Sequence, residues 1–598
     1  SAEEADDETS KPTLYTSERG VDQASSWTAL TGDGPPNPFE EDEADDDWRA
    51  SGSPSHRRKQ ISLLLKQFLD SSFLEALKRL NSVCPPPTLM YYIDFTLRRV
   101  FGKKAFRPLQ REVIEAAIEG HDVFLQAATS FGKSLCFQLP AIVGHGVTVV
   151  VSPLLALMVD QVSALEANGI PVATINSTTS LTKRREIVKD LLSGHPITRL
   201  LYVTPEFCQT DSFRRHLQTV HLQGELARIA IDEAHCVSEW GHDFRPAYKE
   251  LSWFRRELRR PFVPITALTA TATARVRSDI ISLLGLDPMT LKKFSTGSAR
   301  PNIHYEVRYL PDCSMDPTVP DTDQLNDLLC WLSSIHNRRI ARISPPENEN
   351  CAGESISAVT PLLPPITGII YVPLRAICSE LANSLSASPL NIKAVAYHAG
   401  LSASERSKIQ SLWSSPSKVS TSATEKSGEK TKPPSFYIVV ATNAFGMGID
   451  NPHVRFVIHW TPPRSFEGFV QESGRAGRDG RAAVSLIYYS PQERDRVLDR
   501  MTRDQDWHFD AALQGDNPAS KKRRHTESSI AAKMRNQEAL LESFKRVVKY
   551  CETTSRCRHE VIREFFGERD LNVDSRIGQP TQVHIDTSIS STCDFAWS

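Results

Sequence analysis

At 598 residues, 40% apolar and 24% charged, the chain is long enough for roughly three or four domains and has the make-up of a water-soluble globular protein. It contains no run of about 18 apolar residues able to span a bilayer, its acidic, polar start is expected to carry no secretory or Arg-rich transit signal, and eleven scattered cysteines read as reduced thiols and not as a disulfide framework. The net charge of −2 hides an asymmetry: residues 1–50 hold 15 acidic and 3 basic side chains, leaving a surplus of ten positive charges elsewhere, which would suit a polyanionic partner.

Residues 1–58, with acid clusters from Glu40 to Asp47 and no apolar periodicity, read as a disordered acidic tail, solvated or open to a protein partner. Residues 59–91 read as a helical segment and linker. Leu64, Leu65, Phe68, Leu69, Phe73, Leu74 and Leu77 predict a helix over 61–80, stopped before Pro85. Over 92–300 short apolar runs alternate with helical stretches, and Val123–Leu125, Val147–Val151, Leu200–Val203, Arg228–Ile231 and Ile265–Leu268 read as buried strands. A second series over 301–490 places strands at Gly368–Val372, Lys393–Ala396, Tyr437–Ala441, Val454–His459 and Val484–Tyr489, broken by surface insertions at 337–366 and 414–435. This is the α/β pattern of parallel sheets covered by helices, twice over. Residues 491–598 read as a polar connector over 502–533, then helices at Asn536–Tyr550 and Arg558–Phe566. The run Lys521–Arg524 reads equally as a nuclear import signal or as solvated linker charge.

Three segments carry chemistry. After the strand at Val123, the turn Thr129-Ser130-Phe131-Gly132-Lys133-Ser134 opens a helix. A strand, a tight turn and a helix start ending in Gly-Lys-Ser make a phosphate cradle. Thr129 and Gly132 would line it, Lys133 would neutralise the β/γ oxygens, and the Ser134 hydroxyl would help hold Mg²⁺. Ser130 and Phe131 stand where such loops often use a glycine and a small residue, so the turn has less backbone freedom. About 100 residues on, Asp232-Glu233-Ala234-His235 follows a strand end, where ligands bind in such sheets. Asp232 suits Mg²⁺, and Glu233 suits orienting and deprotonating a water. The third, Gln471 to Gly480, spaces Arg475 and Arg478 three apart, on one face if helical. It reads either as arginines delivered to a phosphoryl group across a cleft or as a solvent-facing basic helix.

In order and spacing, residues 101–489 resemble the RecQ family of superfamily 2 DNA helicases, with a partial tail to Glu568. Phe106-Arg107 and Gln110 look like the family's adenine-recognition motif, with Gln110 on the base edge. Val151 to Val162, including Ser152, and Thr204-Pro205-Glu206 look like motifs that grip the single strand. Thr269 to Ala272 looks like the coupling motif. Phe445 to Asp450 and Gln471 to Gly480 look like second-lobe motifs, with Arg478 at the arginine-finger position. Cys236 to Tyr248 resembles the aromatic-rich loop, where Trp240, Phe244 and Tyr248 would offer flat faces to unpaired bases and His242 and Arg245 would link DNA to the ATP site.

The resemblance implies two RecA-like lobes, a small helical C-terminal subdomain of the family's zinc-binding kind, ATP and Mg²⁺ as ligands, and catalysis by Lys133, Asp232, Glu233, His235, Arg475 and Arg478. It implies 3′ to 5′ unwinding of single-stranded and forked DNA in nuclear repair and recombination by a monomeric, core-only member. For zinc, Cys557 and Cys593 match the family's thiolates, while Ser590 and Ala596 occupy other cysteine positions. Two thiolates do not close a tetrahedral site, so zinc stays open, with His584 or Cys551 as substitutes. Three rivals remain: an ATPase that clamps DNA without unwinding, a silent scaffold suggested by Ser130 and Phe131, and an RNA helicase.

Overall fold

The computed structural model describes residues 89–241, 243–310, 321–341, 364–414, 434–445, 451–513 and 522–567. The acidic tail, the helix expected over 61–80, His242, Asp450, much of both insertions, Lys521, His584 and Cys593 lie outside the described residues.

Two all-parallel sheets form. The first contains β1 (Val123–Gln126), β2 (Val147–Val151), β3 (Val172–Ile175), β4 (Leu200–Val203), β5 (Leu226–Ile231), β6 (Ile265–Thr269) and β7 (Lys292–Ser295) in the order β3-β4-β2-β5-β6-β1-β7. The second contains β8 (Ile303–Tyr309), β9 (Ile366–Tyr371), β10 (Ile392–Tyr397), β11 (Phe436–Ala441), β12 (Val454–His459) and β13 (Ala483–Tyr489) in the order β10-β11-β9-β12-β13-β8. The central strands are continuous apolar runs because helices cover both faces and leave no side for polar residues. These are the two RecA-like lobes expected from the sequence.

Register decides where the chemistry lands. Gln126 pairs with Thr269 on β6 and Ser295 on β7, Ile231 with Ala267, and Val151 with both Ile231 and Val203. The segments leaving β1, β2, β4, β5 and β6 therefore emerge along one carboxyl edge, the edge at which open parallel sheets bind ligands.

The second lobe is sealed differently on its two faces. Leu328, Leu332, Ile377, Cys378 and Leu381, from the helices Thr322–Ala341 and Arg375–Ser386, cover one. Phe544, Val547, Tyr550, Ile562 and Phe566 cover the other; all but Phe566 lie within the helices Lys522–Glu552 and Arg558–Phe565, and Phe566 caps the second of them. Fully burying one such large apolar side chain contributes about 1.5–3 kcal/mol, so these helices belong to the second lobe's core. The stretch read as a polar connector is mostly helix: Pro491–Leu513 and Lys522–Glu552 take up most of 502–533.

Candidate nucleotide site and aromatic loop

The phosphate loop is held from three sides. Ser130 adopts a left-handed φ of 76° and Gly132 one of 86°, so the serine takes the conformation a glycine would supply more cheaply. Phe131 packs into the first-lobe core and anchors the turn. Buried Gln110 donates through Nε2 to the Phe131 carbonyl at 2.7 Å and accepts from the Arg107 N–H at 2.8 Å. The side chain expected to read the base thus braces the loop. A Cβ on Gly132 would lie 2.7 Å from the same Gln110 nitrogen. Phe106 packs under Arg111, whose guanidinium sits 4.8 Å from the ring centroid. Lys133 Nζ donates to the Ala127 carbonyl at 3.1 Å, and Ser134 caps the helix Leu135–Val143 without a side-chain capping bond, which leaves its hydroxyl for another partner.

Beyond β5, Asp232 and Glu233 are both buried. Glu233 has a left-handed φ of 48°, and its N–H donates to Asp232 Oδ1 at 3.0 Å. Burial pushes both carboxyls upward: Lys133 opposes the shift at Asp232, while at Glu233 the Asp232 charge adds to it. Glu233 Oε2 has no hydrogen bond among the described residues and lies 3.4 Å from His235 Nδ1. Two buried carboxylates whose burial outweighs the pull of Lys133, with Glu233 Oε2 unbonded among the described residues, fit a hard divalent cation such as Mg²⁺. His235, fully buried, bonds Thr269 Oγ1 at 3.0 Å, and Thr269 in turn accepts the Thr271 N–H at 3.2 Å. The acidic tetrad is thereby joined to the coupling motif.

The second lobe brings its arginines to the same place, though not on a helix. The helix Phe466–Ser473 ends before them, and Arg475 and Arg478 sit in the following turns, where Gly477 takes φ 58° and donates its N–H to the Val454 carbonyl. The shared helical face expected from their spacing does not form, because the glycines at 474, 477 and 480 end the helix. Arg475 is buried and Arg478 half-buried. Arg475 is near enough to pull against the upward shift at Glu233. Gln471 is buried on the preceding helix.

Arg300, not singled out in the sequence, joins the lobes. Its guanidinium donates to Thr129 O at 3.3 Å, Gly474 O at 3.2 Å and Gly477 O at 2.6 Å. The two segments are so close that a Cβ on Gly474 would lie 2.1 Å from Thr129 Oγ1. Burial lowers the Arg300 pKa, and repulsion from Arg478 and Arg107 adds to it. Three guanidiniums thus converge beside the phosphate cradle. The one signal in the sequence was position, between the last strand of one series and the first of the next.

The aromatic loop is only partly what the sequence suggested. Trp240 and Phe244 are half-exposed, while Tyr248 is fully buried and donates its hydroxyl to the Asp232 carbonyl at 2.9 Å. Tyr248 cannot stack on a base; it ties the loop to the carboxylates. The interleaved polar residues suggested an exposed loop, but a buried tyrosine with a bonded hydroxyl satisfies the core equally well. Arg245 donates to the Pro153 carbonyl at 2.8 Å, next to buried Ser152, and Thr204 Oγ1 accepts the Phe207 N–H at 3.3 Å. The Arg275 guanidinium lies 3.2 Å from the Trp240 ring centroid. Such a contact is worth about 0.5–1 kcal/mol at an exposed site, against about 1–3 kcal/mol for a stacked base, so a base can displace it.

For zinc, no set of C-terminal thiolates is assembled among the described residues; the one group of potential ligands there, His235, Cys236 and Asp243, lies beside the acidic tetrad. Cys557 is half-buried at the start of the last helix, whereas Cys551 is buried in the second-lobe core with its thiol pushed up to about 12 by desolvation.

A Gly-Lys-Ser loop and paired carboxylates on one RecA-like lobe, met by arginines from a second, place the chain in the class of two-lobed helicase folds. Comparison narrows the class. Residues 107–280 match the DEAD/DEAH box helicase family, 364–480 the helicase conserved C-terminal domain, and 518–575 the RecQ zinc-binding family. The chain is 37% identical over 479 residues to ATP-dependent DNA helicase Q5 of Rattus norvegicus, covering 79% of this chain and 42% of that one. It is 32% identical to ATP-dependent helicase SGS1 of Saccharomyces cerevisiae, over 87% of this chain and 31% of that one. RecQ-like DNA helicase BLM of Xenopus laevis is 34% identical, over 79% and 28%. The chain thus spans less than half the length of these relatives. Among solved structures, the DUF1998 helicase MrfA bound to DNA shares the fold at a TM-score of 0.50 and 18% identity, over 71% of this chain and 54% of that one. The chain belongs to the RecQ family of superfamily 2 helicases.

Proposed function

We propose that the chain is an ATP-dependent DNA helicase that couples ATP hydrolysis to movement along single-stranded DNA and to duplex unwinding. The observation that carries this is the meeting of the lobes, where Arg300 bonds Thr129 of the phosphate loop and Gly474 of the arginine segment at once. Lys133 would neutralise the β/γ-phosphates, and the backbone N–H groups of Gly132, Lys133 and Ser134, just before the helix at Leu135, would bind them. Mg²⁺, held by Ser134 and Asp232, would neutralise charge on the transferring group. Glu233 would accept the proton of the attacking water, and Arg475 and Arg478 would stabilise the charge that develops. His235 and Thr269 would pass the change to Thr271 and, through Tyr248 and Arg245, to the aromatic loop. Trp240 and Phe244 would stack on unpaired bases, and Ser152 and Thr204 would hold the backbone.

The 3′ to 5′ direction, a setting in repair and recombination, nuclear residence and action as a monomer are proposed from the family resemblance, with Lys521–Arg524 adding to the nuclear reading. The domain limits proposed are 92–300 and 301–490 for the lobes and 491–598 for the C-terminal region. ATP turnover and strand displacement on forked duplexes, measured together, test the proposal. DNA-stimulated turnover with displacement is expected. Turnover without displacement would leave a clamp, equal stimulation by RNA would favour an RNA helicase, and no turnover would leave a scaffold.

A further inference from the structure

The helix Lys522–Glu552 has its two ends in different parts of the molecule. Toward its C-terminus, Ser543, Phe544, Val547 and Tyr550 are buried with the second lobe, where Ser543 bonds Glu467 and the backbone of Phe466. Two turns earlier the helix touches the first lobe. Arg535 Nε donates to Glu239 Oε2, and Asn536 Nδ2 donates to the carbonyls of Glu239 at 3.0 Å and Gly241 at 2.8 Å. About 12 Å of straight helix separates Asn536 from Phe544.

The segment it touches is the aromatic loop. Glu239 is largely buried and is also paired with Lys249, from the far end of the loop. Arg535 holds the Glu239 carboxyl below the usual range. Trp240 follows directly, its ring under Arg275. Ser238 donates to Asp279 at 2.6 Å, and Tyr248 holds the Asp232 carbonyl. The loop is therefore clasped at its outer end by a helix rooted in one lobe and joined at its inner end to the carboxylates of the other.

We propose that Arg535 and Asn536 are positioning residues that hold the aromatic loop in a resting shape and make that hold depend on where the second lobe stands. The inference rests on the DNA-stimulated ATPase reading above. A lobe movement carries the helix, and with it the donors at Glu239 and Gly241. An unpaired base that displaces Arg275 and lifts Trp240 must also break these bonds, so the clasp sets the threshold at which DNA switches on hydrolysis.

The test is ATP turnover by the full chain as a function of oligothymidine concentration, for the parent and for R535A combined with N536A. Expected is a rise of about tenfold in DNA-free turnover and a matching fall in the half-stimulating oligonucleotide concentration. The rate at saturating DNA should stay within about twofold, because no group at the phosphates has changed. R535K, which keeps the charge, should return toward the parent. E239Q approaches the same contact from the loop side, should shift both readouts in the same direction, and serves if the double variant folds poorly. A merely structural role would lower the saturated rate and leave the DNA-free rate alone. Unchanged DNA-free turnover and half-stimulating concentration, or a fall in DNA-free turnover, overturns the inference. A parent that DNA does not stimulate overturns the motor reading itself; a stimulated parent with parent-like variants overturns only the clasp.

Discussion

Strand for strand, β1–β6 of the first lobe and β8–β13 of the second follow the same spatial order, with β7 added at one edge of the first sheet. What leaves their carboxyl ends differs. The first lobe sends out the phosphate loop after β1, the carboxylates after β5 and Thr269 to Ala272 after β6. The second sends out, after β12, a helix capped by Ser465, which accepts the Gly468 N–H, and then Arg475 and Arg478. One scaffold, used twice, thus supplies a cradle with acids on one side and guanidiniums on the other. Each half is chemically incomplete, so damage to either should be nearly as severe as damage to both.

The hardest blow to that division comes from its two ends. Lys133→Ala should abolish ATP turnover while oligonucleotide binding, followed by anisotropy, stays near the parent's. Arg478→Ala should lower kcat by about 10³-fold or more; an Arg478 variant with parental kcat would show that the second lobe contributes no charge to the reaction. Next comes the contact joining the lobes. Arg300→Ala removes three donors to backbone carbonyls and should cut kcat/KM for ATP about tenfold, mostly through KM, as steady-state kinetics would reveal.

A smaller effect belongs to the first lobe alone. Asp232 and Glu233 hold protons in the folded protein to higher pH than an unfolded chain would, because burial raises both. Stability of the nucleotide-free protein should therefore fall as pH rises from the ordinary carboxylate range, about 4, through those raised values. Added Mg²⁺ should flatten the trend, and melting temperatures across pH with and without Mg²⁺ would check it. Smallest of all, Ser130→Gly should relieve a left-handed serine and stabilise the protein by no more than about 1 kcal/mol. A clear loss of stability would mean that the serine hydroxyl matters to the loop.

The same contrast explains what the sequence could and could not reveal. Strands buried on both faces, such as Val147–Val151 and Tyr437–Ala441, announce themselves as apolar runs. The strands β3, β7 and β8 all lie at sheet edges, where one flank meets solvent, and went unread; β7 begins with two exposed lysines. Lys133, Asp232 and Glu233 were legible because local backbone geometry demands them next to a strand end. Arg300, Arg275, Arg535 and Asn536 were not, because each acts on carbonyls, a ring or a carboxylate far away in the chain, and no spacing encodes such a partner. Tyr248 is visible in the sequence but its burial is not, since an aromatic among polar residues looks the same whether its hydroxyl faces water or a buried carbonyl.

The sealing of the second sheet by Phe544, Val547, Tyr550, Ile562 and Phe566 carries a practical corollary. A fragment stopped at Tyr489, where the last strand ends, would keep every group proposed to handle ATP and yet present a bare oily wall to water. Such a fragment should precipitate or bind hydrophobic dyes, while one continued to Gly567 should stay dispersed. The shortest dispersed form of the two lobes is therefore set by what keeps the second sheet dry, well past the last residue proposed to handle phosphate.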